Sequence, residues 1–147
     1  MFEQTGSPPG PPGPRDGTMP GTAWGIRVPG EAWTVGLVRG ALRVWLGTVG
    51  WADGHTDDIV TATVEALIHA LQHAHPTRIE GGPLWLEAGV VASPGSRHVE
   101  IALRPGGATS ADELPAPVRD LTAAVDVHPT DGPAWDSHVL LRSHPNP

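Results

Sequence analysis

The chain has no cysteine, no tyrosine and no lysine, and only one phenylalanine and two methionines. Without cysteine it has neither a disulfide framework nor a thiolate metal site. Long hydrophobic runs are missing too. No apolar stretch approaches the roughly 20 residues needed to span a membrane, and no charged-then-apolar N-terminus marks a signal peptide. A cytoplasmic protein without a membrane partner is therefore expected. Positive charge is scarce: nine basic residues, all arginine and nowhere clustered, stand against 16 acidic ones, for a net charge of -7. A duplex-binding domain carries a basic footprint, so nucleic acid is not an expected partner.

What is present defines one domain. A chain of 147 residues, 39% of them hydrophobic, can bury one real core and is short for two. Six tryptophans beside abundant alanine, glycine and proline have the look of a high-GC coding bias, which describes a genome rather than a function. Residues 1–22 are rich in proline and glycine, with Ser7-Pro8-Pro9-Gly10-Pro11-Pro12-Gly13-Pro14-Arg15-Asp16-Gly17 at their centre. Such a segment cannot bury enough surface to offset its ordering entropy, so a disordered tail is expected. Its two collagen-like triplets are too few for a triple helix. A partner domain that binds proline is the other reading.

Within residues 23–143 the periodicities alternate between helix and strand. Trp24 to Val28 predicts a short strand ended by Pro29-Gly30. Trp33, Leu37, Val38, Ala41, Leu42 and Trp45 recur at helical spacing over Glu31 to Leu46, although Gly36 and Gly40 each weaken that helix by about 1 kcal/mol. After a loop from Gly47 to Gly54, Asp53 or Thr56 can cap a second helix running to about Ala74, where His75-Pro76 ends it. Leu84 to Ala92 and Arg97 to Arg104 predict a strand pair joined by Ser93 to Ser96, with Val99, Ile101 and Leu103 on one face. A third helix is expected over Asp112 to Ala124, regular from about Ala116 because of Pro115 and Pro117. Val125 to His128 and Ser137 to Arg142 predict a last pair. The expected fold class is α/β, a two-layer sandwich with helices on one face of a mixed β-sheet.

One stripe carries candidate chemistry. Glu65, His69 and His73 stand four apart, so on a helix a carboxylate and two imidazoles share one face. Val60, Val64, Leu67, Ile68 and Leu71 form the opposite, core-facing stripe. Two readings stay open. The stripe is a plain solvent face with weak Glu/His pairing, or it lines a pocket, as the small residues Ala62, Ala66, Ala70 and Ala74 beside it suggest. A transition metal on His69 and His73 is a third reading, since helical i,i+4 histidines suit Zn²⁺; a fourth ligand is not obvious, though His75 is near. The remaining histidines (His55, His98, His128, His138 and His144) need no role, and Gly106-Gly107 reads equally as a bare turn.

These motifs, in this order, resemble the histidine-kinase-like (GHKL) ATPases, and among them the small anti-sigma-factor kinases. The resemblance runs from about Trp24 to Arg142. Val28-Pro29-Gly30 leads into the first helix. Glu65-Ala66-Leu67-Ile68-His69-Ala70-Leu71-Gln72-His73-Ala74 is similar to the family's Glu-x-x-x-Asn-Ala-x-x-His-Ala box. Val99-Glu100-Ile101 is similar to the strand before the adenine-binding Asp, and Leu121 to Arg142 to the closing helix and hairpin. The resemblance implies Glu65 as the catalytic carboxylate, and His69, Ala70, His73, Gly106 and Gly107 as nucleotide-site residues. It puts the metal-binding position, Mg²⁺ in the family, at His69. It also implies ATP with Mg²⁺ as cofactors.

Three family features are changed. His69 replaces the metal-binding Asn, and imidazole is a poor ligand for hard Mg²⁺. Ala102 to Gly107 offers no acid for adenine; a lost charged hydrogen bond costs about 1.5–3 kcal/mol. Ala108 to Val118 has no glycine to let backbone amides reach phosphates. The expected function is thus regulatory: an anti-sigma-like protein that binds a sigma factor or an anti-sigma antagonist, with weakened or lost ATP binding. The alternatives are an active serine/threonine kinase using Glu65 with Mg-ATP, and a metal-responsive switch through His69 and His73. The family often dimerises, so a homodimer is among the expected assemblies.

Overall fold

Alternation in the strands and helical spacing between them sort the chain into two layers. The computed structural model describes residues 18–73, 83–133 and 135–145. Five strands, β1 (Thr18–Pro29), β2 (Pro83–Ser93), β3 (Ser96–Arg104), β4 (Ala124–His128) and β5 (His138–Arg142), form one sheet in the order β1-β2-β3-β5-β4. The helices are α1 (Thr34–Thr48), α2 (Asp53–His73) and the short α3 (Ala116–Asp120), with a 3₁₀ turn at Ala111–Glu113. The expected two-layer α/β class is the observed one. The sheet is not mixed, however: every ladder among the described residues is antiparallel. Hairpin connections β2–β3 and β4–β5 impose that direction.

One face of the sheet makes the core. Leu84, Leu86, Ala88 and Val90 of β2 alternate with Val99, Ile101 and Leu103 of β3, Val139 and Leu141 of β5, and Ile26 and Val28 of β1, all buried. Against them lie Val38, Leu42 and Leu46 of α1 and Ile59, Val60 and Leu67 of α2. Fully burying one such aliphatic side chain is worth roughly 1.5–3 kcal/mol.

The remaining differences from expectation are local. β1 begins at Thr18, six residues before Trp24, and its register to β2 shifts between Thr18 and Ala23. Of the expected tail, residues 1–17 lie outside the described residues, as do Ala74, His75 and Pro76. The third helix stops at Asp120 rather than Ala124. Pro115 and Pro117 delay its start, and the amide of Ala123 already donates to the Arg142 carbonyl of the sheet. At the far edge of β3 the ladder is extended by a side chain: the Val99 amide donates to Ser143 Oγ at 2.8 Å, and the Ser143 amide to the Val99 carbonyl.

The loop between α1 and α2 is held from β3. Arg97 donates to the carbonyls of Val49 and Gly50, both at 3.2 Å, and its guanidinium lies 5.3 Å from the Trp51 ring. Carbonyls at a helix C-terminus have no intrahelical partner, so this arginine satisfies them from across the core.

Candidate functional site

α2 is covered round most of its circumference. Val60, Val64 and Leu67 are buried as their spacing predicts, but Ala62, Ala66 and Ala70 are buried as well. Small side chains allow the close approach that the alanine stripe suggested. The stripe of interest is therefore not a uniform solvent face. Along it, exposure is uneven: Glu65 is half-buried, His69 is only 8% exposed, and His73 is exposed. The imidazoles of His69 and His73 stack, with ring centroids 4.0 Å apart and planes at 19°. His73 Nδ1 lies 2.9 Å from the His69 carbonyl, and donates to it as a last-turn histidine can.

His69 packs toward the segment after β3. Burial, and then the neighbouring His73, hold its pKa below the ordinary 6.5, while the Gly107 backbone and the Glu113 carboxylate pull the other way. The Gly107 backbone lies near enough to favour the protonated ring, yet among the described residues the buried Nε2 makes no hydrogen bond of ordinary geometry. Opposite it, Glu113 ties the loop together. Its carboxylate accepts from the Thr109 amide at 2.9 Å, the Ser110 amide at 3.0 Å and the Thr109 hydroxyl. The bonds from Thr109 dominate in holding its pKa low. Sequence reasoning passed over Glu113. The signal was Ser110-Ala111-Asp112-Glu113, a capping-box spacing.

Gly106 and Gly107 are held from the other side. The Gly106 amide donates to the Ser137 carbonyl at 2.7 Å and the Gly107 amide to that of Trp135 at 2.9 Å. A Cβ on Gly106 would stand 2.4 Å from Val139 Cγ2 and 2.8 Å from Ser137 Oγ, so only glycine fits. Gly107 has φ 69°, a region that L side chains rarely adopt. Both amides are engaged within the protein and do not point outward. Next to them, Arg104 bonds Asp136 at 3.2 and 3.3 Å. The two glycines thus belong to a junction between β3 and the β4–β5 hairpin.

The donor set does not fit Mg-ATP. A hard cation favours oxygen ligands, and the buried group here is an imidazole. The amides of the glycine pair are already satisfied, and no acid follows β3 before the turn. Glu65 forms no ion pair or side-chain hydrogen bond among the described residues. The two histidines are not joined by a third ligand among the described residues. Their rings stack on each other, and among the described residues no group of three His, Asp or Glu could hold an ion. His75 lies outside the described residues.

A two-layer domain with a covered helix and a glycine junction is the class that fold and site define. No family model matches this chain, and no curated protein matches it. Among solved structures, a similar fold occurs in the crystal structure of the RsbU and RsbW domains of Rv1364c from Mycobacterium tuberculosis. The TM-score is 0.63 at 20% sequence identity, over 85% of this chain. The chain spans 33% of that protein's chain, and the likeness is one of fold. No helix among the described residues is long and apolar enough to cross a membrane.

Proposed function

We propose that this protein is a regulatory binding domain built on an anti-sigma-kinase-like ATPase fold. It acts by holding a sigma factor or an anti-sigma antagonist, with weakened or lost nucleotide chemistry. The fold shared with a structure that includes an RsbW domain supports the regulatory class. The observation that supports the second half is the state of these residues: His69, at the position the resemblance gives to the metal, is buried, and Gly106 and Gly107 are engaged by Ser137 and Trp135. A protein that keeps the shape but replaces the phosphate and metal contacts retains its surface for partners. The test is affinity capture from the native cell with and without ATP. Recovery of a sigma factor or its antagonist, unchanged by nucleotide, supports the proposal. Recovery that requires ATP contradicts it. A homodimer is the assembly proposed from the sequence resemblance, to be read by light scattering.

The active-kinase reading keeps one observation in its favour. Glu65 is half-buried on the stripe that carries His69 and has no competing partner among the described residues. Phosphate transfer from ATP to a serine of the captured partner, lost in Glu65→Gln, would establish that reading. The metal-switch reading has no supporting geometry among the described residues.

A further inference from the structure

A second surface of the molecule lies away from α2. β1 closes one end of the sheet: it pairs with β2 on one side, and among the described residues no strand pairs with the other. Such an edge presents unpaired amides and carbonyls, and proteins commonly blunt it with proline, a bulge or an outward charge. From Ala23 to Val28 this edge is unguarded. The register shift lies between Thr18 and Ala23, and Pro29 comes after Val28. The one charged residue in the stretch, Arg27, has its guanidinium over the Trp85 ring of β2, 5.8 Å from the centroid.

An apolar groove runs beside this edge. α1 follows the turn after Pro29 and returns along β1, so Trp24, early in the described side chains of the strand, stacks on Trp45, late in the helix, at 6.3 Å between centroids. The groove, about 660 Å³, is lined by Trp24 and by Gly36, Leu37, Gly40, Val44 and Trp45 of α1, with no charged residue. Leu37 is 38% exposed and Val44 69%. A Cβ on Gly36 or Gly40 would meet nothing within 4 Å, so the trough has room for side chains from outside. Its wall from Gly36 to Thr48 is about 18 Å long, and six strand residues span about 20 Å. The two features select one occupant. Unpaired strand backbone calls for an extended segment, because only another strand meets its amides and carbonyls in step. Every second side chain of that segment faces as Trp24, Ile26 and Val28 do, toward the helix layer. It then falls in a groove that offers no partner for a charge. The net charge of -7 opposes a second copy of the chain and an acidic segment alike. We infer that the β1 edge and the α1 groove take up an extended segment of a partner protein as an added strand, with apolar residues at alternate positions and no acidic ones. This surface shares no residue with the α2 stripe, so its test stands apart from that of the regulatory reading.

The probe is a displayed library of random octapeptides, selected on the full-length protein. Strand addition predicts winners with apolar residues at every second position and without Asp or Glu. When a winning peptide binds, the amide signals of Ala23 to Val28 and the indole signals of Trp24 and Trp45 should shift in NMR spectra, while those of β4 stay in place. N-methylation of the peptide, one residue at a time, reads the backbone pairing. At alternate positions it removes an amide that faces β1 and should weaken binding about tenfold; at the positions between, the peptide should bind as before. Gly40→Leu adds a side chain where there is open space, and leucine is a better helix former than glycine. That variant should fill the groove and weaken binding to a similar degree without lowering the melting temperature. A selection that yields no alternating peptide overturns the inference, as does binding equally tolerant of methylation at every position. Shifts at β1 that grow with protein concentration in the absence of peptide, and vanish in Gly40→Leu, assign the surface to a second copy and equally overturn it.

Discussion

Replacing His69 with leucine should stabilise the protein. The imidazole is buried and, among the described residues, its Nε2 has no hydrogen-bond partner. Leaving such a group unsatisfied costs about 1–3 kcal/mol; an apolar side chain of similar reach removes that cost. Against it stands the lost ring stack on His73, worth about 0.5–1.5 kcal/mol if it equals an ordinary aromatic pair. The expected net at pH 8 is a gain of roughly 1 kcal/mol. The pH dependence is more specific. Burial and then His73 lower the folded pKa of His69 from 6.5. The unfolded chain therefore takes up the proton first as pH falls. The stability contributed by the neutral ring is fully present above about 6.5 and is lost as pH drops through the folded pKa, with a slope of at most about 1.4 kcal/mol per pH unit. His69→Leu removes this slope, so its advantage should widen below pH 6.5. His138, also held below its ordinary value by burial and by Arg104, contributes a slope of the same sign in both proteins and cancels in the comparison. Urea unfolding of parent and variant between pH 5 and 8, read at about one-unit intervals, measures both quantities. Parallel pH profiles, or a variant less stable than the parent at pH 8, would refute the reasoning and place His69 in contact with solvent or a hidden partner.

Other outcomes follow from the same geometry. Gly106→Ala drives a methyl group against Val139 and Ser137 and should cost about 2–4 kcal/mol, combining overpacking with strain on two backbone hydrogen bonds; a melting curve within a degree of the parent would contradict it. Arg97→Ala removes two carbonyl contacts and the stack on Trp51. It should cost about 1–2 kcal/mol and speed hydrogen exchange at the end of α1, with no effect at β4. Ser143→Ala leaves the buried Val99 amide with no acceptor and should cost about 1–3 kcal/mol in chemical denaturation, whereas Ser143→Thr should recover most of it.

Much of the fold was legible in the sequence because periodicity reports burial directly. The alternation of Val99, Ile101 and Leu103 placed β3 and its core face, and the spacing of Val38, Leu42 and Trp45 placed α1. Proline positions marked the delayed start of α3. What the sequence does not carry is where separate segments meet. The wheel of α2 puts His69 opposite Leu67, which by itself suggests a solvent face. The residue is buried because the Gly107–Glu113 segment, some forty positions away in the chain, covers it. Strand direction was hidden for the same reason, since it depends on which strands become neighbours. The end of α3 depended on Ala123 finding Arg142. The α1 groove was invisible because Leu37 and Trp45 fit the core period as well as an exposed edge. Gly106 shows the converse: a glycine that the resemblance assigns to the nucleotide site also meets the close approach of Ser137 and Val139.

The proposed function has weakened or lost binding of Mg-ATP as its central element. Isothermal titration of the full-length protein with Mg-ATP tests this most directly. The account predicts no binding heat even at millimolar nucleotide, with the same flat trace for His73→Ala. Saturable binding in the micromolar range, abolished by His73→Ala, would contradict it.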